Sequence, residues 1–157
     1  MRTASNIGQS IAPLACALLT LAQIQAATVV WINPGSGNWN DTNNWAPNQV
    51  PGSGDEVIIT NSGTYAVTVN VSVTLANLTL GGLSGTQTLV IPSSTLTLQT
   101  NGSVGGNGVL ALSGGTLSGA GTLTVSGVMN WTAGRMDGRP AKMRRDTEDR
   151  SRERLDT

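Results

Sequence analysis

The chain has 157 residues, with nine Lys or Arg balanced by nine Asp or Glu, and it contains no His and no Phe. That length suits a single domain. Between Thr3 and Gly134 the only charged side chains are Asp41, Asp55 and Glu56, so the body of the chain offers no basic patch to nucleic acid and few groups for acid–base catalysis.

Residues 1–26 predict a signal peptide that is removed on export. Arg2 supplies a positive start, and residues 11–24 form an apolar run of signal-peptide length, too short to span a bilayer. Cleavage after Ala26 fits the small-residue pattern and would remove Cys16, the only cysteine. A buried core helix and a lipoprotein cleavage box at residues 13–16 are the alternatives. We therefore expect a secreted or cell-surface protein whose mature chain does not span the membrane.

The next segment, residues 27–56, is rich in tryptophan. It predicts a cap that covers the first of the stacked strands predicted for residues 57–138. Its indoles alternate with turn-forming clusters of Asn, Pro, Gly and Ser, and helical periodicity is missing. The indoles could stack on sugar rings of a glycan, or they could pack as the small core of the cap. The residues concerned are Trp31, Trp39 and Trp45.

Oxygen-bearing side chains in the same segment suggest a calcium-binding site. Asp41, Asn43 and Asp55 offer ligands of the type that calcium prefers, but they lack the spacing of a calcium-binding loop. The alternative is that they form Asx turns and caps. Calcium is the only cofactor that the sequence suggests.

Residues 57–138 carry a short repeat that predicts stacked strands. Apolar and polar residues alternate strictly over residues 64–75, which is the pattern of a strand with one buried face. Further on, leucine pairs flanked by Thr, Ser and Gly recur: Leu89, Leu110 and Met129 are separated by 21 and 19 residues, as are Leu96, Leu117 and Met136. A turn of about twenty residues favours a parallel β-helix, also called a β-solenoid. An antiparallel β-sandwich is the alternative.

The composition changes near the C-terminus. From Arg135 to Thr157, fourteen of twenty-three residues are charged, and no strand pattern continues beyond Gly138. Residues 139–157 therefore predict a charged tail without a fixed fold. Because the repeat stops in the middle of a unit, an out-of-frame origin of this tail is a second hypothesis.

Two passages resemble a known class of proteins. The first passage consists of Trp31, residues 39–45 (WNDTNNW) and residues 50–59 (VPGSGDEVII), and it resembles the start of large secreted bacterial repeat proteins with autotransporter-like β-helical passengers. The second, residues 119–125 (GAGTLTV) with 130–138 (NWTAGRMDG), is similar to their repeat unit. The resemblance implies a right-handed parallel β-helix. It also implies that the chain is a truncated N-terminal part of an exported surface or extracellular protein.

The functional expectation is a structural or adhesive role, with a polysaccharide or a cell-surface protein as partner and an open solenoid end that can self-associate. The alternative is a secreted carbohydrate-binding module, or the front part of a polysaccharide-degrading enzyme. Catalysis by this chain is not expected, because a glycosidase needs two carboxylates across the scissile bond. Asp55 and Glu56 are adjacent in sequence, so on a strand their side chains would point to opposite faces.

Overall fold

A computed structural model describes residues 26–138, and the rest of the predicted signal peptide and the predicted charged tail lie outside these residues. The described part is built from short strands and one 3-10 helix, Thr42–Asn44. The strands are β1 Thr28–Trp31, β2 Gly37–Asn38, β3 Trp45–Ala46, β4 Glu56–Ile59, β5 Gly63–Thr68, β6 Val73–Leu75, β7 Asn77–Leu80, β8 Gly85–Ile91, β9 Thr95–Leu98, β10 Asn101–Val104, β11 Gly108–Gly119, β12 Thr122–Val125 and β13 Val128–Gly138.

The strands wind into a β-solenoid of about four turns. One face is the sheet β3-β1-β4-β7-β10-β12, in which every neighbouring pair is parallel except β1 and β3. A second face contains β2, β5, β8 and the first half of β11, and a third contains β6, β9 and the second half of β11. β13 pairs along both halves of β11. The β-solenoid prediction is confirmed, the antiparallel sandwich is wrong, and the right-handed sense stays a prediction.

The register between coils follows the apolar repeat seen in the sequence. Leu110 pairs with Leu89 on one side and with Met129 on the other. On the third face Leu117 pairs in the same way with Leu96 and Met136. Both predicted spacings are therefore confirmed as the lengths of successive turns.

Alternation along each strand places one set of side chains inside the coil. In β7, for example, Leu78 and Leu80 are buried while Asn77 and Thr79 face outward. Neighbouring coils repeat this pattern, so that like positions stack and form a continuous core. The buried apolar residues are Val29, Trp31, Trp39, Trp45, Val57, Ile59, Tyr65, Val67, Val69, Leu75, Leu78, Leu80, Leu89, Ile91, Leu96, Leu98, Val104, Leu110, Leu112, Leu117 and Leu123.

The strand predicted over residues 64–75 is divided in two by a corner. β5 ends at Thr68 and β6 begins at Val73. The hydroxyl of Ser94, in the next coil, donates to the carbonyl oxygen of Val69 inside this corner. Alternation alone does not reveal such a corner, because the inward and outward parity is kept through it. A second corner follows β6, as a bend at Ala76.

Candidate functional site

The three predicted ligand-binding tryptophans form the core of the N-terminal cap. Trp31, Trp39 and Trp45 have no exposed surface. The ring of Trp45 meets both others edge-on, with centroid distances of 4.9 Å to Trp31 and 4.8 Å to Trp39. Trp31 also stacks on Tyr65 of the first full coil at 6.2 Å. The cap is therefore joined to the solenoid through aromatic packing.

Backbone acceptors hold two of these indoles in place. Nε1 of Trp45 donates to the carbonyl oxygen of Trp39 at 2.8 Å, and Nε1 of Trp39 donates to that of Pro51 at 3.4 Å. Nε1 of Trp31 is buried without an acceptor among the described residues. A sugar ring stacks only on an exposed aromatic face. The buried indoles therefore cannot stack on a glycan. All three pack as the small core of the cap, which was the alternative prediction.

The predicted calcium ligands act as local caps in the structure. Asp41 Oδ1 accepts hydrogen bonds from the backbone nitrogen and Nδ2 of Asn43, both at 3.0 Å, and so caps the 3-10 helix. Asp55 is buried and accepts from the backbone nitrogens of Ala27 and Gly52 at 3.1 and 2.9 Å. Residues 26–138 contain no group of three or more His, Cys, Asp or Glu side chains that could bind a metal ion. The alternative reading as turns and caps fits these contacts.

The outer surface of the first sheet carries a polar groove that the sequence reading did not identify. Its volume is about 400 Å³, and it is lined by residues from four strands that are neighbours in the sheet: β4, β7, β10 and β12. The lining is Glu56, Asn77, Leu78, Thr79, Asn101, Gly102, Ser103, Thr122 and Thr124. The leucine and the glycine face inward, so the side chains that reach solvent in the groove are amides, hydroxyls and one carboxylate.

Strand pairing puts the polar side chains of the groove in rows. Thr79, Ser103 and Thr124 are paired in register across three strands. A second row begins at Glu56, which pairs with Asn77, and Asn101 continues it to Thr122. Adjacent parallel strands lie about 4.8 Å apart, so each row repeats at that interval along the solenoid axis.

Hydrogen bonds hold part of this surface in place. Asn77 Oδ1 accepts from Thr100 Oγ1 at 2.6 Å and from the backbone nitrogen of Asn101 at 3.2 Å. At the β4 side, Glu56 Oε2 accepts from Thr28 Oγ1 at 3.2 Å. Beneath β10, Leu98 and Leu123 fill the place where a side chain on Gly102 would stand, since a Cβ there would lie within 3.0 Å of both.

The sequence could have predicted the groove residues only if the pairing register of the strands in the first sheet had been known. The intervals from Glu56 to Asn77, Asn101 and Thr122 are 21, 24 and 21 residues. The unequal middle interval hides the row, because the β7–β8–β9 coil is longer than its neighbours. The predicted spacings of 21 and 19 residues do not include this extra length, which appears on the third face as the interval of 23 residues from Val73 to its partner Leu96.

Comparison with protein-family models, with curated proteins and with solved structures gives no match for this chain. Within residues 26–138 no helix has the length and apolar character needed to cross a membrane.

Proposed function

We propose that the coils belong to an exported surface or extracellular β-solenoid protein with a structural or adhesive role, of which this chain is the truncated N-terminal part. The observation that carries the proposal is the stack itself. Its core is continuous from the tryptophan cap to β12, and its outer faces are almost free of charge. Such a stack presents long, regular surfaces. The resemblance to autotransporter-like passengers supports the same role.

Export tests this proposal directly. The full chain is expressed in a bacterial host, and the mature N-terminus of exported material is read by mass spectrometry, with Ala27 expected as the first residue. Leu18→Arg combined with Leu19→Arg interrupts the apolar run and should block export. Leu83→Arg is the control, because it makes the same kind of replacement at one exposed position outside the predicted signal peptide. Retention of the unaltered chain inside the cell, with residues 1–26 still attached, would contradict export.

A secreted carbohydrate-binding module is the second candidate, and the polar groove is the observation in its favour. The tryptophans no longer support it, because they are buried. Within the groove Glu56 is the only carboxylate of the lining, whereas hydrolysis of a glycosidic bond uses a pair. The second candidate is therefore binding of a glycan rather than its cleavage.

The C-terminal end of the stack supports a proposal about self-association. Within the described residues β12 pairs only with β10, and β13 only with β11. At the N-terminal end β3 runs antiparallel to β1 and covers its edge. An unpaired strand edge is a template for further pairing. We propose that this end accepts either further coils or a second copy of the chain.

A further inference from the structure

We propose that the groove on the outer surface of the first sheet binds a neutral polysaccharide chain that lies across the strands, parallel to the solenoid axis. This inference deepens the proposed adhesive role and names the class of ligand. It rests on the lining residues and their register, and it does not depend on whether the chain is exported.

The chemistry of the lining selects for sugar hydroxyl groups. Amide and hydroxyl side chains can each donate and accept hydrogen bonds, as sugar hydroxyls can. No Lys or Arg lines the groove, so phosphate or sulfate groups would find no counter-charge. A carboxylate on the ligand would meet like charge at Glu56. An apolar ligand is equally disfavoured, since the two apolar lining positions face the core.

Several polar atoms of the groove have no hydrogen-bond partner among the described residues, and paired strands hold them in place. The amide of Asn77 has its oxygen occupied by two donors, which leaves Nδ2 as the group able to reach a ligand. The hydroxyls of Thr79 and Ser103 make no side-chain hydrogen bond to other described residues. Because the strands already hold these groups in place, binding would order few side chains.

The repeat of the rows suits a polymer better than a single sugar. Four strands span three spacings, roughly 14 Å in all. β7, β10 and β12 each contribute an outward pair of polar groups, and β4 contributes Glu56. Individual hydrogen bonds to an open surface contribute little affinity. Affinity should therefore increase with the length of the oligosaccharide until the groove is filled.

Isothermal titration calorimetry on the full chain tests the proposal. The probes are neutral cello-, xylo-, manno- and chito-oligosaccharides of increasing length, with oligogalacturonate as the acidic comparison. At least one neutral series should bind saturably and more tightly with length, and oligogalacturonate should not bind. Asn101→Val with Ser103→Val removes two polar groups while keeping strand propensity, and should weaken binding about tenfold or more.

Matched controls separate the groove from the rest of the surface. Thr95→Val with Thr97→Val makes the same kind of change on the outer side of β9, on the third face, and should leave affinity unchanged. Circular dichroism establishes that each variant is folded. Glu56→Gln should allow oligogalacturonate to bind. Absence of binding by every neutral series, or equal loss in both double variants, overturns the groove proposal and leaves the export result unaffected.

Discussion

Gln87 joins two successive coils, because its Nε2 donates to the carbonyl oxygen of Gly63, one turn earlier, at 2.6 Å. The same nitrogen donates to the carbonyl oxygen of Ser84 at 3.0 Å, and Oε1 accepts from the backbone nitrogen of Gly82 at 2.7 Å. The side chain has no exposed surface. The side-chain amide of this core glutamine thus makes three hydrogen bonds to backbone groups, two of which lie in the corner between β7 and β8.

Replacing this glutamine by an apolar residue should destabilise the protein. In Gln87→Leu the carbonyl oxygen of Gly63 and the backbone nitrogen of Gly82 lose their hydrogen bonds to this side chain, while the carbonyl oxygen of Ser84 still accepts from the backbone nitrogen of Gly63 at 3.3 Å. A backbone group left unpaired away from water costs about 1–3 kcal/mol. We expect the midpoint of urea unfolding, followed by circular dichroism, to fall clearly while the slope stays constant. Thr88→Val, on the outer side of the same strand, should change the midpoint little. Equal stability of Gln87→Leu and the unaltered chain would show that the hydrogen bonds contribute nothing.

Replacing different tryptophans of the cap by phenylalanine should lower the free energy of unfolding by different amounts. Trp45→Phe removes the hydrogen bond to the carbonyl of Trp39 and also leaves a cavity, so a loss of several kcal/mol is expected. Trp31→Phe leaves a similar cavity but removes a donor that has no acceptor. We expect it to cost about 1–3 kcal/mol less than Trp45→Phe. Urea unfolding of both variants gives the comparison, and the reverse order would contradict this account.

Glycine is required where one coil lies directly on the next. Gly119 has φ of 128°, and a Cβ there would lie within 2.0 Å of the carbonyl oxygen of Leu98. Backbone cannot move aside as a side-chain end can, so Gly119→Ala should be strongly destabilising or prevent folding. Gly106→Ala is the control, since no atom lies within 4 Å of its Cβ position. Thermal unfolding of the two variants should differ widely, and similar midpoints would refute the steric argument.

The sequence predicted the coil well and the groove not at all. Period-two alternation and the spacings of Leu89, Leu110 and Met129 are local signals, and they fix which residues face inward and which pair. The groove depends on Asn77 and Asn101 being neighbours, and that follows from the length of one coil, including its corners. Corner lengths vary because a solenoid needs only the strands to stay in register.

The burial of the tryptophans could not be decided from the sequence for a related reason. An aromatic cluster among turn residues has the same composition whether it covers a core or presents a binding face. The decisive contact is the stacking of Trp31 on Tyr65, a residue 34 positions later in the chain. Asp55 was predicted as a possible calcium ligand, with a turn or cap as the alternative, and its two backbone donors agree with the alternative.

Stability should fall in alkaline solution because of Tyr65. Burial raises the pKa of its hydroxyl above the usual 10.0, and an interaction with the backbone of Asn61 lowers it by less. The unfolded chain therefore loses this proton first, and the contribution to stability is present below pH 10.0 and lost as the pH rises through the folded value. The chain has one tyrosine, so ultraviolet titration follows it alone. Tyr65→Phe should lack this component of the alkaline loss, and a normal titration midpoint in the folded chain would contradict the prediction.

The free edge at β13 should make association depend on concentration. Val128 and Trp131 are 47% and 55% exposed, and β13 has no strand on its outer side within the described residues. A lysine on an edge strand opposes pairing with another edge, because its charge would be buried there. Val128→Lys should therefore lower the weight-average mass measured by light scattering at high protein concentration. Thr88→Lys, on the interior strand β8, adds the same charge away from the edge and should not. A monomer at every concentration, or an equal effect of both lysines, would rule out the edge as the contact.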